Sequence, residues 1–88
     1  MSVPKVVLLI EDSEADQILA RFVLKKHWPE TELLMASDGL EAIEVLQDCA
    51  PNYPELILLD INMPRMNGHE FLEAWYSKTD QSIPTVVI

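Results

Sequence analysis

Four short apolar runs punctuate the chain, and between them the apolar positions switch to helical spacing. Val6-Val7-Leu8-Leu9-Ile10 is uninterrupted, the pattern of a strand buried on both faces. From Ser13 to His27, Ala15, Ile18, Leu19, Phe22 and Val23 recur at helical spacing and form one apolar face. Ser13 with Asp16 three residues on has a capping-box pattern, and Pro29 stops the helix. Leu33-Leu34-Met35-Ala36 reads as a second strand. Asp38 to Cys49 reads as a helix with Leu40, Ala42, Ile43 and Leu46 inward and Glu41 three residues after Asp38. Pro51 and Pro54 mark a loop, and Leu56-Ile57-Leu58-Leu59 is a third buried strand. Residues 63–67 read as a loop, with Asn67 able to cap a helix that carries Phe71, Leu72, Trp75 and Tyr76, with Glu70 in its first turn. After Pro84, Thr85-Val86-Val87-Ile88 begins a fourth strand.

The order βαβαβαβ predicts a parallel sheet with helices on both faces. Right-handed crossovers restrict its topology. A doubly wound sheet of order 2-1-3-4 sets the first and third strands side by side, where the winding reverses. Ligands bind there, outside the carboxyl ends of the strands.

Composition narrows the function. The chain has 88 residues, enough for one domain, and 49% are hydrophobic, which suits a globular fold rather than disorder. Six Lys+Arg against fifteen Asp+Glu give a net charge of −9. That charge repels nucleic acid and anionic lipid, so neither is an expected partner. A single cysteine, Cys49, excludes an internal disulfide, and with only His27 and His69 beside it a zinc cluster lacks ligands. The opening MSVPKVVLLIED has the apolar length of neither a signal peptide nor a membrane span, and the expected location is the cytoplasm.

Glu11 and Asp12 directly follow the first strand, and Asp60 directly follows the third. The topology brings all three carboxylates to one crevice. At 4 Å two unit charges repel by roughly 1 kcal/mol in water and about 4 kcal/mol near a protein surface. Three acids so close either take up protons or hold a cation, and a hard ion such as Mg²⁺ suits oxygen ligands. Asp12 alone would be no more than a helix cap or dipole partner. Its convergence with Glu11 and Asp60 at the switch point carries the inference.

LLDINMPRMNGHEF resembles the phosphoacceptor segment of response-regulator receiver domains, with Asp60, Met63, Pro64 and Gly68 at the family's spacing. LLIEDSEAD resembles the family's first strand and acidic pair, and SDGLEAIEVL its second helix. The IEDSEAD start is also similar to small single-domain regulators that work with phytochrome-like kinases. The resemblance implies a flavodoxin-like α/β fold, of which residues 1–88 would be the N-terminal (βα)₃β portion of a five-stranded domain. It implies that Asp60 is the phosphoacceptor and that Asp12 binds Mg²⁺ directly and Glu11 through water. Asn62 would contribute its backbone carbonyl. It further implies a signalling domain rather than an enzyme, served by a histidine kinase or histidine phosphotransfer protein that docks near the first helix. The Met-Pro and Gly positions would shape the loop and let the next helix begin close to the site.

The family pattern continues with a Ser or Thr after the fourth strand and a Lys after the fifth, and neither lies within these 88 residues. A fragment of a longer product is the expectation, with self-association through the apolar edge of the fourth strand. Two other functions compete. A receiver that binds proteins without being phosphorylated is disfavoured by the three acids. A phosphohydrolase of the haloacid dehalogenase type would want a second Asp two positions after the first, commonly at the first strand, whereas position 62 is Asn and the strand is the third. His27 and His69 read as helix-terminal residues, and Cys49 as structural. One of Trp75 and Tyr76 is expected to pack on the sheet. Two glycines cannot make a Gly-rich phosphate loop, and no serine has the Gly-flanked elbow of a hydrolase.

Overall fold

The apolar runs pair side by side in a four-stranded parallel sheet of order β2-β1-β3-β4. The computed structural model describes residues 3–60, 68–78 and 83–87. Its elements are β1 (Val6–Ile10), α1 (Glu14–His27), β2 (Glu32–Ala36), α2 (Gly39–Cys49), β3 (Leu56–Leu59), α3 (Gly68–Lys78) and β4 (Thr85–Val87). The doubly wound α/β fold expected from the alternation is therefore present. The predicted roles of residues 61–67, including Asn62, Met63, Pro64 and the Asn67 cap, fall outside the described residues, as does Ile88.

The helices α1 and α2 start where their caps predict. Ser13 Oγ accepts the Asp16 N–H at 3.3 Å, and Asp38 Oδ1 accepts the Glu41 N–H at 2.9 Å. Each cap satisfies one of the backbone donors orphaned at a helix start. The reciprocal half of the Ser13 capping box is replaced, because the Ser13 N–H donates to Glu11 Oε1 at 3.0 Å.

One face of the sheet holds the main core. Leu8, Ile10, Ile57 and Leu59 pack there against Ala42, Ile43 and Leu46 of α2 and Phe71 and Trp75 of α3. Fully burying one such large side chain contributes about 1.5–3 kcal/mol. Trp75 is the aromatic that packs inward. It meets Tyr53 edge-on at a centroid distance of 5.7 Å, while Tyr76 is exposed and donates its hydroxyl proton to the Ile83 carbonyl.

One expectation is corrected. Leu40 points outward instead of inward. The buried face of α2 runs through Gly39, Ala42, Ile43 and Leu46, and Leu40 sits about 100° around from Gly39. The apolar face of α1 is exposed, and the helix buries none of its residues. Ile18, Leu19 and Phe22 are 64%, 61% and 68% exposed. Gln17, Ala20 and Leu24 are its half-buried positions. Periodicity shows which residues share a face, but not that the face is covered. The far edge of the sheet is also apolar, since Val86 and Val87 of β4 are exposed.

Candidate functional site

The strand ends position the acids. The Glu11 N–H donates to the Ala36 carbonyl and the Asp60 N–H to the Ile10 carbonyl, each at 3.0 Å. These bonds extend the β1–β2 and β1–β3 ladders by one residue, so both acids emerge at the carboxyl edge of neighbouring strands. Asp12 follows Glu11 in the turn before the Ser13 cap.

Glu11, Asp12 and Asp60 each offer a carboxylate oxygen, and these oxygens all lie within 4.8 Å of one another. Asp12 is exposed, Asp60 half-buried and Glu11 only 6% exposed. The topology thus brings together three of the four predicted metal ligands. Burial pushes the Glu11 carboxyl up from 4.5 to about 7. The Ser13 N–H opposes this by stabilising the carboxylate, while hydrogen bonds to Asp60 and Asp12 and the charge of Asp60 raise it further. Glu11 therefore holds a proton over much of the pH range in which an ordinary glutamate is ionised.

Sequence patterning does not single out the groups that fix Glu11. The Gln17 side-chain amide donates to the Glu11 carbonyl, and Ser13 contributes its main-chain N–H. A main-chain donor has no side-chain signature, and Gln17 lies six residues away across the cap. A cavity of about 490 Å³ opens beside the acids, with Glu11 and Asp60 on one side and Leu9, Leu19, Ala20, Val23 and Leu24 on the other. Leu9 belongs to the sheet face opposite the main core, so α1 and the α2–α3 pair lie on opposite faces. His69 is exposed in the first turn of α3, His27 ends α1, and Cys49 is a half-buried free thiol at the end of α2. None of the three belongs to the acidic cluster.

A hard cation fits this donor set. All three groups are carboxylate oxygens, gathered within 4.8 Å of one another, which is the hard donor chemistry such an ion takes. No described helix is long and apolar enough to cross a membrane.

Known proteins agree with this architecture. Response regulator Rcp1 of Synechocystis sp. is 43% identical, the alignment covering 97% of this chain and 61% of Rcp1. The chain thus spans less than two thirds of that relative's length. The crystal structure of the phosphorylated cyanobacterial phytochrome response regulator RcpA matches with a TM-score of 0.81 and 33% identity, over 97% of this chain and 64% of that one. The crystal structure of the Mn²⁺-bound form of Rcp1 matches with a TM-score of 0.74 and 41% identity, over 96% of this chain and 64% of that one. The family described as response regulator receiver domain matches residues 7–88. Strand order, acidic crevice and sequence match together show that this chain belongs to the response regulator receiver domain family, the signalling domains of two-component systems.

Proposed function

We propose that Asp60 accepts a phosphoryl group from a phosphohistidine of a histidine kinase or histidine phosphotransfer protein, with Mg²⁺ held by Glu11, Asp12 and Asp60. The observation that carries this reading is the gathering of three carboxylates within 4.8 Å at the β1–β3 switch point of a receiver-family chain. Similar solved structures support it, one of a phosphorylated regulator and another of a Mn²⁺-bound one. The backbone carbonyl of Asn62 is the fourth proposed ligand, on family resemblance.

In the proposed step an Asp60 carboxylate oxygen attacks phosphorus and forms an acyl phosphate. The P–N bond to the donor histidine breaks, its electron pair returns to the imidazole, and that nitrogen takes up a proton. A carboxylate nucleophile needs no separate base to activate it. The backbone bond of Asp60 to Ile10 holds it at the strand edge, where a donor can approach. When bound, the ion neutralises charge on the transferring group, much of what phosphoryl transfer asks of a protein. The Ser13 N–H orients Glu11 toward that charge. The proposed location is the cytoplasm, where such donors reside.

The test is to incubate the protein with Mg²⁺ and acetyl phosphate and weigh it intact. One acid-stable, base-labile phosphoryl group is expected, absent from Asp60→Asn. An adduct that survives in Asp60→Asn overturns the assignment.

A further inference from the structure

Glu11 and Asp12 are consecutive, so a single peptide unit sets how their carboxylates stand toward each other. That unit is a plane, with the Glu11 carbonyl on one side and the Asp12 N–H on the other. Holding its carbonyl therefore fixes the rotation on both flanks, ψ of Glu11 and φ of Asp12. The sheet reaches Glu11 through its N–H, which donates to the Ala36 carbonyl at 3.0 Å. The carbonyl of Glu11 is held from α1 instead, by the side-chain Nε2 of Gln17. A carbonyl only accepts, so the amide must present its nitrogen to it.

Helix geometry explains the reach. The Gln17 N–H donates to the Ser13 carbonyl at 2.9 Å, the bond that opens α1. Helical side chains lean toward the N-terminus, so Gln17 extends back over the Ser13 cap to the end of β1. Gln17 is half-buried and carries no charge. A Lys or Arg could donate to the same carbonyl, but it would set positive charge beside three carboxylates whose oxygens lie within 4.8 Å of one another. That charge would compete with a cation. Glu11 is thus held at its N–H by β2, at its carbonyl by Gln17 and at Oε1 by the Ser13 N–H. The pinned peptide and the Ser13 cap bracket Asp12.

We propose that Gln17 is a positioning residue of the acidic crevice, which fixes the Glu11–Asp12 peptide so that the two carboxylates are set for a small divalent ion. The inference rests on the reading that Glu11, Asp12 and Asp60 hold Mg²⁺. It adds a residue outside the ligand set and a consequence for ion size. Mg²⁺ demands near-octahedral geometry at about 2.0–2.1 Å, whereas Ca²⁺ accepts looser arrangements at about 2.3–2.6 Å. Ligands held in place favour the smaller ion, and ligands free to swing suit the larger one. Gln17 acts through the peptide alone and touches neither the ion nor the transferring group.

Gln17→Met tests this, because methionine keeps the length and removes the donor. Mg²⁺ and Ca²⁺ affinities of the whole chain are measured by titration calorimetry, with circular dichroism reporting the fold. Mg²⁺ should bind about tenfold more weakly, a usual cost of losing a bond that orients a metal ligand. Ca²⁺ should weaken much less, so the preference for Mg²⁺ over Ca²⁺ falls. In chelator, amide exchange at Asp12 and Ser13 should quicken while that of Leu8, Leu9 and Ile10 in β1 stays as it was. Gln17→Glu also lacks the donor but adds a charge that attracts both ions, so its preference should fall whichever way the absolute affinities move. A merely structural role would change both ions together or neither. An unchanged preference in the two variants, or unchanged exchange at Asp12, overturns the proposal and leaves the Mg²⁺ reading standing. A native chain that binds no Mg²⁺ overturns that reading and the proposal with it. Failure of both variants to fold shows Gln17 to be structural and overturns the proposal as well.

Discussion

Glu11 makes stability depend on pH in a direction opposite to that of most carboxylates. Its carboxyl titrates near 7 in the folded protein, against 4.5 ordinarily, so the folded state binds this proton more tightly than the unfolded state does. The stability linked to it is fully present below about pH 4.5 and is lost as pH rises through about 7. At about 1.4 kcal/mol per unit, the shift corresponds to about 3 kcal/mol across that window. Urea unfolding in chelator at about pH 5 and about pH 8, for the native chain and for Glu11→Gln, isolates the effect. The variant keeps the shape and removes the charge, so its advantage should grow by roughly 2–3 kcal/mol between the two conditions. Parallel pH profiles for the two proteins would refute the reasoning, because they would show that Glu11 carries no raised proton affinity.

Three further outcomes follow from the same geometry. Mg²⁺ at about 100 times its dissociation constant should raise stability by about 2.7 kcal/mol, a gain that shrinks sharply in Asp12→Asn; urea midpoints with and without the ion measure it. Phe71→Ala empties a fully buried position between α3 and the sheet and should cost about 3–5 kcal/mol in the same melts. Asp38→Ala removes the acceptor for the Glu41 N–H and should cost about 1 kcal/mol, with faster amide exchange confined to the first turn of α2.

The fold is legible in this sequence because its strands are buried on both faces. Val7 to Ile10 are all buried, so the run is continuously apolar and cannot be confused with an alternating surface strand. Caps are legible for a similar reason, since Ser13 and Asp38 act on backbone three residues away. Glu11, Asp12 and Asp60 are legible as a group only through topology, because 48 positions separate Asp12 from Asp60 and nothing local joins them. What sequence does not reveal is coverage. The apolar residues of α1 are as periodic as those of α2, yet one face is exposed and the other is buried. Periodicity records which residues share a face, whereas burial depends on what lies opposite. Nor does it reveal that the Ser13 N–H would turn to Glu11, since a main-chain donor leaves no trace in the residue string.

These points meet in the energetics of the acidic crevice. A domain of this size is stable by about 5–15 kcal/mol at most, so a penalty near 3 kcal/mol at one glutamate is a large fraction of the whole. A glutamine at position 11 would relieve it without changing the packing volume. The carboxylate nonetheless sits at the end of the most buried strand, bonded to a backbone donor that favours its charged form. That donor works against the burial around it, because it stabilises the charged form that burial disfavours. With a cation present the same bond orients a ligand, and the proton leaves as the ion enters. Metal affinity at this site should therefore rise with pH across the range in which Glu11 gives up its proton. The conflict between burial and the Ser13 N–H marks the crevice as a place where the fold gives up stability for chemistry.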